Sequence, residues 1–339
     1  MRYLKIRRDN LSKLFDSLKR FGEVYAPVKK SNSYSFTAVD SLDDVSLNYN
    51  RTILPPKKFF IKPFEEIFKV EIGKGYYLKI EEPKTIVLLG LHACDINALK
   101  VLDSVYLDEP YDPHYFTRRS STVIVGLSCK PDEYCFCKSM GSDYAWSGFD
   151  LFLHQIDEGY VVRVGSIRGE ALISSIKDVV SEPKQEDFIK LREFEVERSK
   201  MFKKAINTSL LPDIVDSSYE SDTWTKFVDK CVGCGSCNLV CPTCRCYDVF
   251  ERVELNLEKG ARVRRWDSCF VKSHALVAGG LNFRPARLDR FKNRFNCKSS
   301  IEPKTGLFFC VGCGRCSVFC PAGIDHADVL KALWGLGDE

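Results

Sequence analysis

Two stretches of the 339-residue sequence carry cysteines at a spacing suited to redox chemistry. The first is Cys231-Val-Gly-Cys234-Gly-Ser-Cys237-Asn-Leu-Val-Cys241-Pro, and the second is Cys310-Val-Gly-Cys313-Gly-Arg-Cys316-Ser-Val-Phe-Cys320-Pro. Both read C-x2-C-x2-C-x3-C-P, a run whose thiolates hold [4Fe–4S] cubes. Three close thiolates wrap three irons of one cube, and the fourth, turned away by its proline, reaches the neighbouring cube. Cys231, Cys234 and Cys237 are therefore expected to share a cube with Cys320. Cys310, Cys313 and Cys316 are expected to share the other with Cys241. The competing zinc reading fits poorly, because four-ligand zinc sites come as two separated cysteine pairs.

Eight further cysteines lie outside the runs. Cys94 follows one apolar run and Cys129 the next, with Cys135 and Cys137 close behind. In open α/β sheets, sites form at the carboxyl ends of strands, so these four thiols could converge on a third metal centre. A third [4Fe–4S] cluster, a structural zinc and buried free thiols all stay open for them. Cys244, Cys246, Cys269 and Cys297 fall between the two runs, and their C-x-C spacing does not decide whether they bind metal.

The remaining composition excludes several classes. A net charge of +4 makes no case for nucleic acid or membrane binding by the whole chain. The opening residues turn polar at once, so no secretion signal is expected. The longest apolar run, Ile86 to Leu91, is strand-sized rather than membrane-spanning. Clustered C-x2-C spacing then points to metal ligation in a reducing compartment, and a cytoplasmic location is expected. Lys, Arg and Glu are plentiful and Gln appears only at Gln155 and Gln185, which leans towards a thermophile. No G-x-G-x-x-G follows a strand and no phosphate loop is present, so no flavin or nucleotide is expected in this chain. No catalytic constellation is recognisable among the five histidines. His92 is expected to neighbour the Cys94 site by a hydrogen bond.

The elements that must position these thiols fall into three regions. Residues 1–180 alternate strands and helices and predict an α/β domain. Leu11, Leu14, Phe15 and Leu18 mark one helix face ending near Gly22. Tyr76 to Ile80 reads as a half-buried strand, Thr85 to Leu91 and Thr122 to Leu127 as fully buried ones, and Ala171 to Val180 as a closing helix. Residues 181–230 read as a helical connector, and residues 231–339 as an α-helical, ferredoxin-like dicluster domain. The two runs begin 79 positions apart, and each is followed by helix-like sequence, Tyr247 to Leu257 and Ile324 to Leu333. Between Lys259 and Lys298, eleven Lys and Arg face two Asp. That excess predicts either a solvated face or a positive potential for an anionic partner or the clusters. A zinc-stabilised nucleic-acid-binding module is the expectation of a different class. The Arg51-Thr-Ile-Leu-Pro-Pro-Lys-Lys-Phe-Phe stretch cannot be regular helix, and reads as a buried-ended loop or a partner contact.

Those residues also carry a resemblance. The Arg51–Phe60 stretch, His92-Ala-Cys-Asp-Ile, Pro131-Asp-Glu-Tyr-Cys-Phe-Cys137, Cys241-Pro-Thr-Cys-Arg-Cys-Tyr247, Arg264-Arg-Trp-Asp-Ser-Cys269 and Asn282-Phe-Arg-Pro285 resemble the beta subunit of cytosolic sulfhydrogenases. More distantly the chain is similar to the electron-transfer subunit of anaerobic sulfite reductase, where a histidine is expected at the position of Cys297. The resemblance implies an electron-transfer subunit of an NADP-linked [NiFe]-hydrogenase. Its partners would be the nickel-bearing alpha large subunit, the delta small subunit, plus the gamma subunit carrying FAD and the NADP(H) site. Delivery of electrons to a sulfite reductase is the alternative.

Overall fold

The structure, a computed structural model, describes residues 2–335. The chain opens with β1 (Arg2–Arg7), α1 (Leu11–Phe21), β2 (Glu23–Lys30) and β3 (Ser33–Ala38), then, after a long loop, β4 (Phe64–Glu71) and β5 (Gly75–Leu78). Next come β6 (Ile86–Leu91), α2 (Ala93–Tyr106), α3 (Pro113–Ser120), β7 (Thr122–Leu127), β8 (Leu151–Ile156), β9 (Gly159–Val164), α4 (Ile167–Ser174) and β10 (Val180–Ser181). Helices α5 (Gln185–Lys200), α6 (Leu211–Ser217) and α7 (Thr223–Val228) lead to the first cysteine run. The rest is α8 (Ser236–Leu239), β11 (Tyr247–Val253), β12 (Lys259–Trp266), α9 (Arg287–Ser299), α10 (Arg315–Val318) and α11 (His326–Leu333).

The first ten strands, apart from β4 and β5, form one sheet in the order β10-β1-β9-β8-β7-β6-β2-β3. At its centre β6 pairs in parallel with β2 and β7, and β7 with β8. Nearly every residue of β6 and β7 is buried, as expected for parallel strands covered on both faces. Leu11, Leu14, Phe15 and Leu18 bury the predicted face of α1. The mixed α/β reading of the N-terminal region therefore holds.

Other expectations change. Tyr247 to Leu257 is not helical. It is strand β11, paired antiparallel with β12. Its apolar positions suit either period, but Tyr, Val and Phe fit a pleated surface once a partner strand is available. The C-terminal region is thus mixed, with four-residue helices at the runs, α8 and α10, and full helices only in α9 and α11. The hairpin extends into a second sheet, β11-β12-β4-β5, so two strands from within 1–180 complete a sheet begun beyond residue 231. In that sheet Tyr76 and Leu78 are exposed rather than half-buried. The closing helix is Ile167–Ser174, capped by the Ser166 hydroxyl, which accepts from the Gly169 N–H. Helices α6 and α7 do not merely connect. They pack on α9 and α11 in a core holding Leu211, Val215, Trp224, Phe291, Phe295 and Leu330.

Candidate metal centres

The core beneath α9 carries the first cavity. Cys231, Cys234, Cys237 and Cys320 line it together with Phe270, Phe291, Phe295 and Arg294. The predicted partners of the first run, 83 to 89 positions apart in sequence, thus share one wall. Cys234 is exposed, and Val232 beside it is 66% exposed, so this cavity opens towards solvent. Cys316 also reaches it.

Cys310, Cys313, Cys316 and Cys241 line the second cavity, with Phe136, Arg294 and Lys298. Here the backbone is covered, and Val311 is 3% exposed. The loop carrying Cys135 and Cys137 lies directly against this run. The Phe136 N–H donates to the Gly312 carbonyl at 2.9 Å, and the Ser142 hydroxyl donates to the Val311 carbonyl at 2.6 Å. A Cβ on Gly312 would sit 2.6 Å from the Phe136 carbonyl carbon, and one on Gly314 would sit 2.6 Å from the Tyr134 oxygen. Both have φ near +60 to +72°. Glycine is required at each position for conformation and for room.

Two of the N-terminal quartet follow strand ends and two lie on the next loop. Cys94 lies in the first turn of α2, just past β6, and Cys129 just past β7. Cys137 is buried with Cys94 in a small cluster that also packs Val311 and Cys313. Cys135 receives a hydrogen bond from an Arg51 guanidinium nitrogen at 3.2 Å. Burial, then Cys135 and Cys129, pushes the Cys137 thiol well above its usual range. An Arg198 guanidinium donates to the Cys129 carbonyl at 2.8 Å.

A buried ion pair joins this quartet to the second run. Arg315, 1% exposed, donates to both Asp95 oxygens at 2.7 and 2.8 Å, and to the Thr52 carbonyl at 2.9 Å. Burial works against the Arg315 charge, but Asp95 and Cys313 outweigh it and hold its pKa well above the usual range. Breaking such a pair by removing one partner costs about 3–5 kcal/mol, because the other charge is left buried alone. Asp95 follows Cys94 directly, so the pair fixes α2 against the second run.

The basic insertion is a solvated face only in part: Lys259, Arg265, Lys272 and Arg287 are exposed. Arg290, Lys292, Arg294 and Lys298 of α9 are all buried. Arg294 donates to the Asn238 side-chain oxygen at 2.6 Å, and Lys298 donates to the Thr243 hydroxyl at 3.0 Å. Lys57, 3% exposed, donates to the carbonyls of Cys244 and Asn238 at 3.1 and 3.3 Å. Among the described residues Arg294, Lys298 and Lys57 have no carboxylate within ion-pair distance. Buried cations without anions cost several kcal/mol each. Their natural counter-charge is sulfur. Burial pushes the Cys237 thiol up to about 11 and the Cys316 thiol up to about 12. Cys241 is instead held well below the usual thiol range, first by the Cys244 side chain against burial, then by Lys298, Arg294 and Lys57.

The thiol set and these cations fit anionic iron–sulfur clusters. Among the described residues no three His, Cys, Asp or Glu side chains close on a point as ligands of a single ion do. That holds equally for the two runs, where each thiolate of a cube takes a different iron.

Sequence reading missed the residues that frame the thiols. The Arg51–Phe60 loop is buried at both ends, with Ile53 exposed between them, and it supplies Arg51 to Cys135, Thr52 to Arg315 and Lys57 to Cys244. The fixed backbone at Pro55-Pro56 was its only signal. His92 is buried and stacks on Tyr49 with ring centres 4.1 Å apart, and its Nε2 has no partner. Burial, then Arg315, lowers its pKa to about 3.

Residues 230–324 match the family model for a 4Fe-4S dicluster domain, which makes the chain an iron–sulfur protein with a mixed α/β fold. It is 49% identical over 333 residues, covering 98% of both chains, to sulfhydrogenase 2 subunit beta of Pyrococcus furiosus. The chain belongs to the sulfhydrogenase beta-subunit family. That membership and the dicluster domain support iron–sulfur electron transfer as its role in an oxidoreductase. No solved structure matches the chain. No helix among the described residues is long and apolar enough to cross a membrane.

Proposed function

We propose that this chain relays electrons between the [NiFe] module of a sulfhydrogenase, alpha plus delta, and its FAD- and NADP(H)-binding gamma subunit, without a catalytic group of its own. Cys231, Cys234, Cys237 and Cys320 hold one [4Fe–4S] cluster, and Cys310, Cys313, Cys316 and Cys241 hold a second. Cys94, Cys129, Cys135 and Cys137 hold a third. Each cluster, when bound, takes up and gives back one electron at a time.

The observation that carries this reading is the continuous line of thiol sites. The N-terminal quartet lies against the second run through Phe136–Gly312 and Arg315–Asp95. Cys316 and Arg294 line both run cavities. The chain's own residues exclude water from the inner site, fix the spacing and supply positive charge.

The test is Cys313→Ser in the whole assembly. NADPH-driven hydrogen turnover should be abolished, while hydrogen oxidation with an artificial dye, which enters at the [NiFe] module, persists. NADP-linked turnover at the wild-type rate would refute the relay.

A further inference from the structure

The cysteine inventory leaves one quartet without a role. Eight of the sixteen cysteines belong to the two runs and four to the N-terminal site. Cys244, Cys246, Cys269 and Cys297 remain, and they come from three separate places: the segment entering β11, the loop after β12, and the last turn of α9.

The fold brings them to one end of the β11–β12 hairpin. Tyr247 lies opposite Trp266, so Cys246, one residue before β11, and Cys269, three after β12, emerge side by side. The Asp267 N–H donates to the Cys246 carbonyl at 3.1 Å and closes that end. Cys297 lies three residues beyond Arg294 on the same face of α9. An Asn238 amide nitrogen donates to the Cys269 sulfur at 3.0 Å, and an Arg294 nitrogen lies 3.6 Å from the Cys244 sulfur. Cys244 and Cys269 are buried. Donors aimed at sulfur are the surroundings of a ligating thiolate.

Buried positive charge surrounds this quartet as it does the runs. Arg294 lines both run cavities and Lys298 the second, so the cubes of the runs give those cations a counter-charge. Lys57 lines neither cavity. Its buried ammonium donates to the Cys244 and Asn238 carbonyls and lies 4.3 Å from the centre of the Trp266 ring. It faces Cys244 as well as Cys241 of the second run, and an anionic cluster on Cys244 adds counter-charge on that side. A single ion is disfavoured by the geometry, since no three of these thiols close on a point among the described residues.

We propose that Cys244, Cys246, Cys269 and Cys297 hold a fourth iron–sulfur cluster of the [4Fe–4S] class beside the second run, with Lys57 and Asn238 as its positioning residues. The inference extends the relay reading and rests on it for the two neighbouring cubes.

The test uses the full-length chain, prepared without oxygen together with its co-purifying subunits. Wild type, Cys246→Ser/Cys269→Ser and Cys297→Ala are compared by iron, zinc and acid-labile sulfide analysis and by electron paramagnetic resonance. Differences between variant and wild type belong to this chain alone. The double variant should lose about four irons and four sulfides per chain. Unchanged iron would overturn the proposal, and so would loss of one zinc with no iron. If the double variant fails to fold, Cys297→Ala decides: a new three-iron signal in the oxidised state supports the cluster, and an unaltered spectrum at full iron content overturns it. Failure of the relay reading would show elsewhere, as NADP-linked turnover surviving in Cys313→Ser whatever the iron count.

Discussion

The two cysteine runs are near-copies in sequence and opposites in setting. At the first run the chain faces outward, with Val232 66% exposed and Cys234 exposed. At the second, the equivalent Val311 is 3% exposed and the glycines press on the Tyr134–Cys137 loop. The cysteine spacing is identical. One position that differs is the residue after the second glycine, Ser236 in the first run and Arg315 in the second. Arg315 reaches Asp95 and Thr52 and ties its run to the N-terminal sheet. The same cysteine spacing is therefore set at the surface in one copy and inside the protein in the other, and a residue between the cysteines, Arg315, ties the inner copy down.

The strongest way to break this comparison is at the ion pair. Arg315→Ser, which makes the second run match the first, should destabilise the chain by about 3–5 kcal/mol by leaving Asp95 buried and unpaired. Thermal unfolding measures it. Arg315→Met combined with Asp95→Leu should cost less than either change alone, since no charge is then stranded. A cost no greater than about 0.5 kcal/mol for Arg315→Ser would mean the pair does not anchor the run.

Arg294 tests what the two cavities share. Arg294→Gln removes a positive charge lining both, and should lower the reduction potentials of both cubes, each by roughly 60 mV if the lost interaction is worth about 1.4 kcal/mol for a one-electron couple. A redox titration followed by electron paramagnetic resonance checks it. A shift confined to one cube would show that the side chain serves one site alone. The smallest effect belongs to the exposed run. Val232→Asp should change stability by no more than about 0.5 kcal/mol and leave iron content intact, yet slow NADP-linked turnover if that face meets a partner. The matching change Val311→Asp, at the buried position, should prevent stable assembly.

The sequence made some of this legible and hid the rest for physical reasons. Ligand spacing is local, so both runs were visible directly, and the thiols of each expected set line one cavity, with Cys316 lining both. The buried strands Ile86–Leu91 and Thr122–Leu127 were legible because parallel strands covered on both faces are apolar throughout. Tyr247–Val253 was misread because its apolar positions satisfy two periods, and the choice lies with β12, a tertiary partner. The charge of α9 was visible, but not its burial, because Arg290, Lys292, Arg294 and Lys298 look like a solvated face until sulfur is placed beside them. Lys57 lies 187 positions from Cys244, and no local pattern predicts such a contact.

The claim at the centre is that the second run lies on the only path between donor and acceptor. Rapid-freeze electron paramagnetic resonance on the Cys313→Ser assembly, reduced in one arm by hydrogen and in the other by NADPH, tests it most directly. Each donor should reduce clusters on its own side of the altered site and leave the others oxidised over the wild-type turnover time. Reduction of the same full set of clusters by both donors would contradict the account.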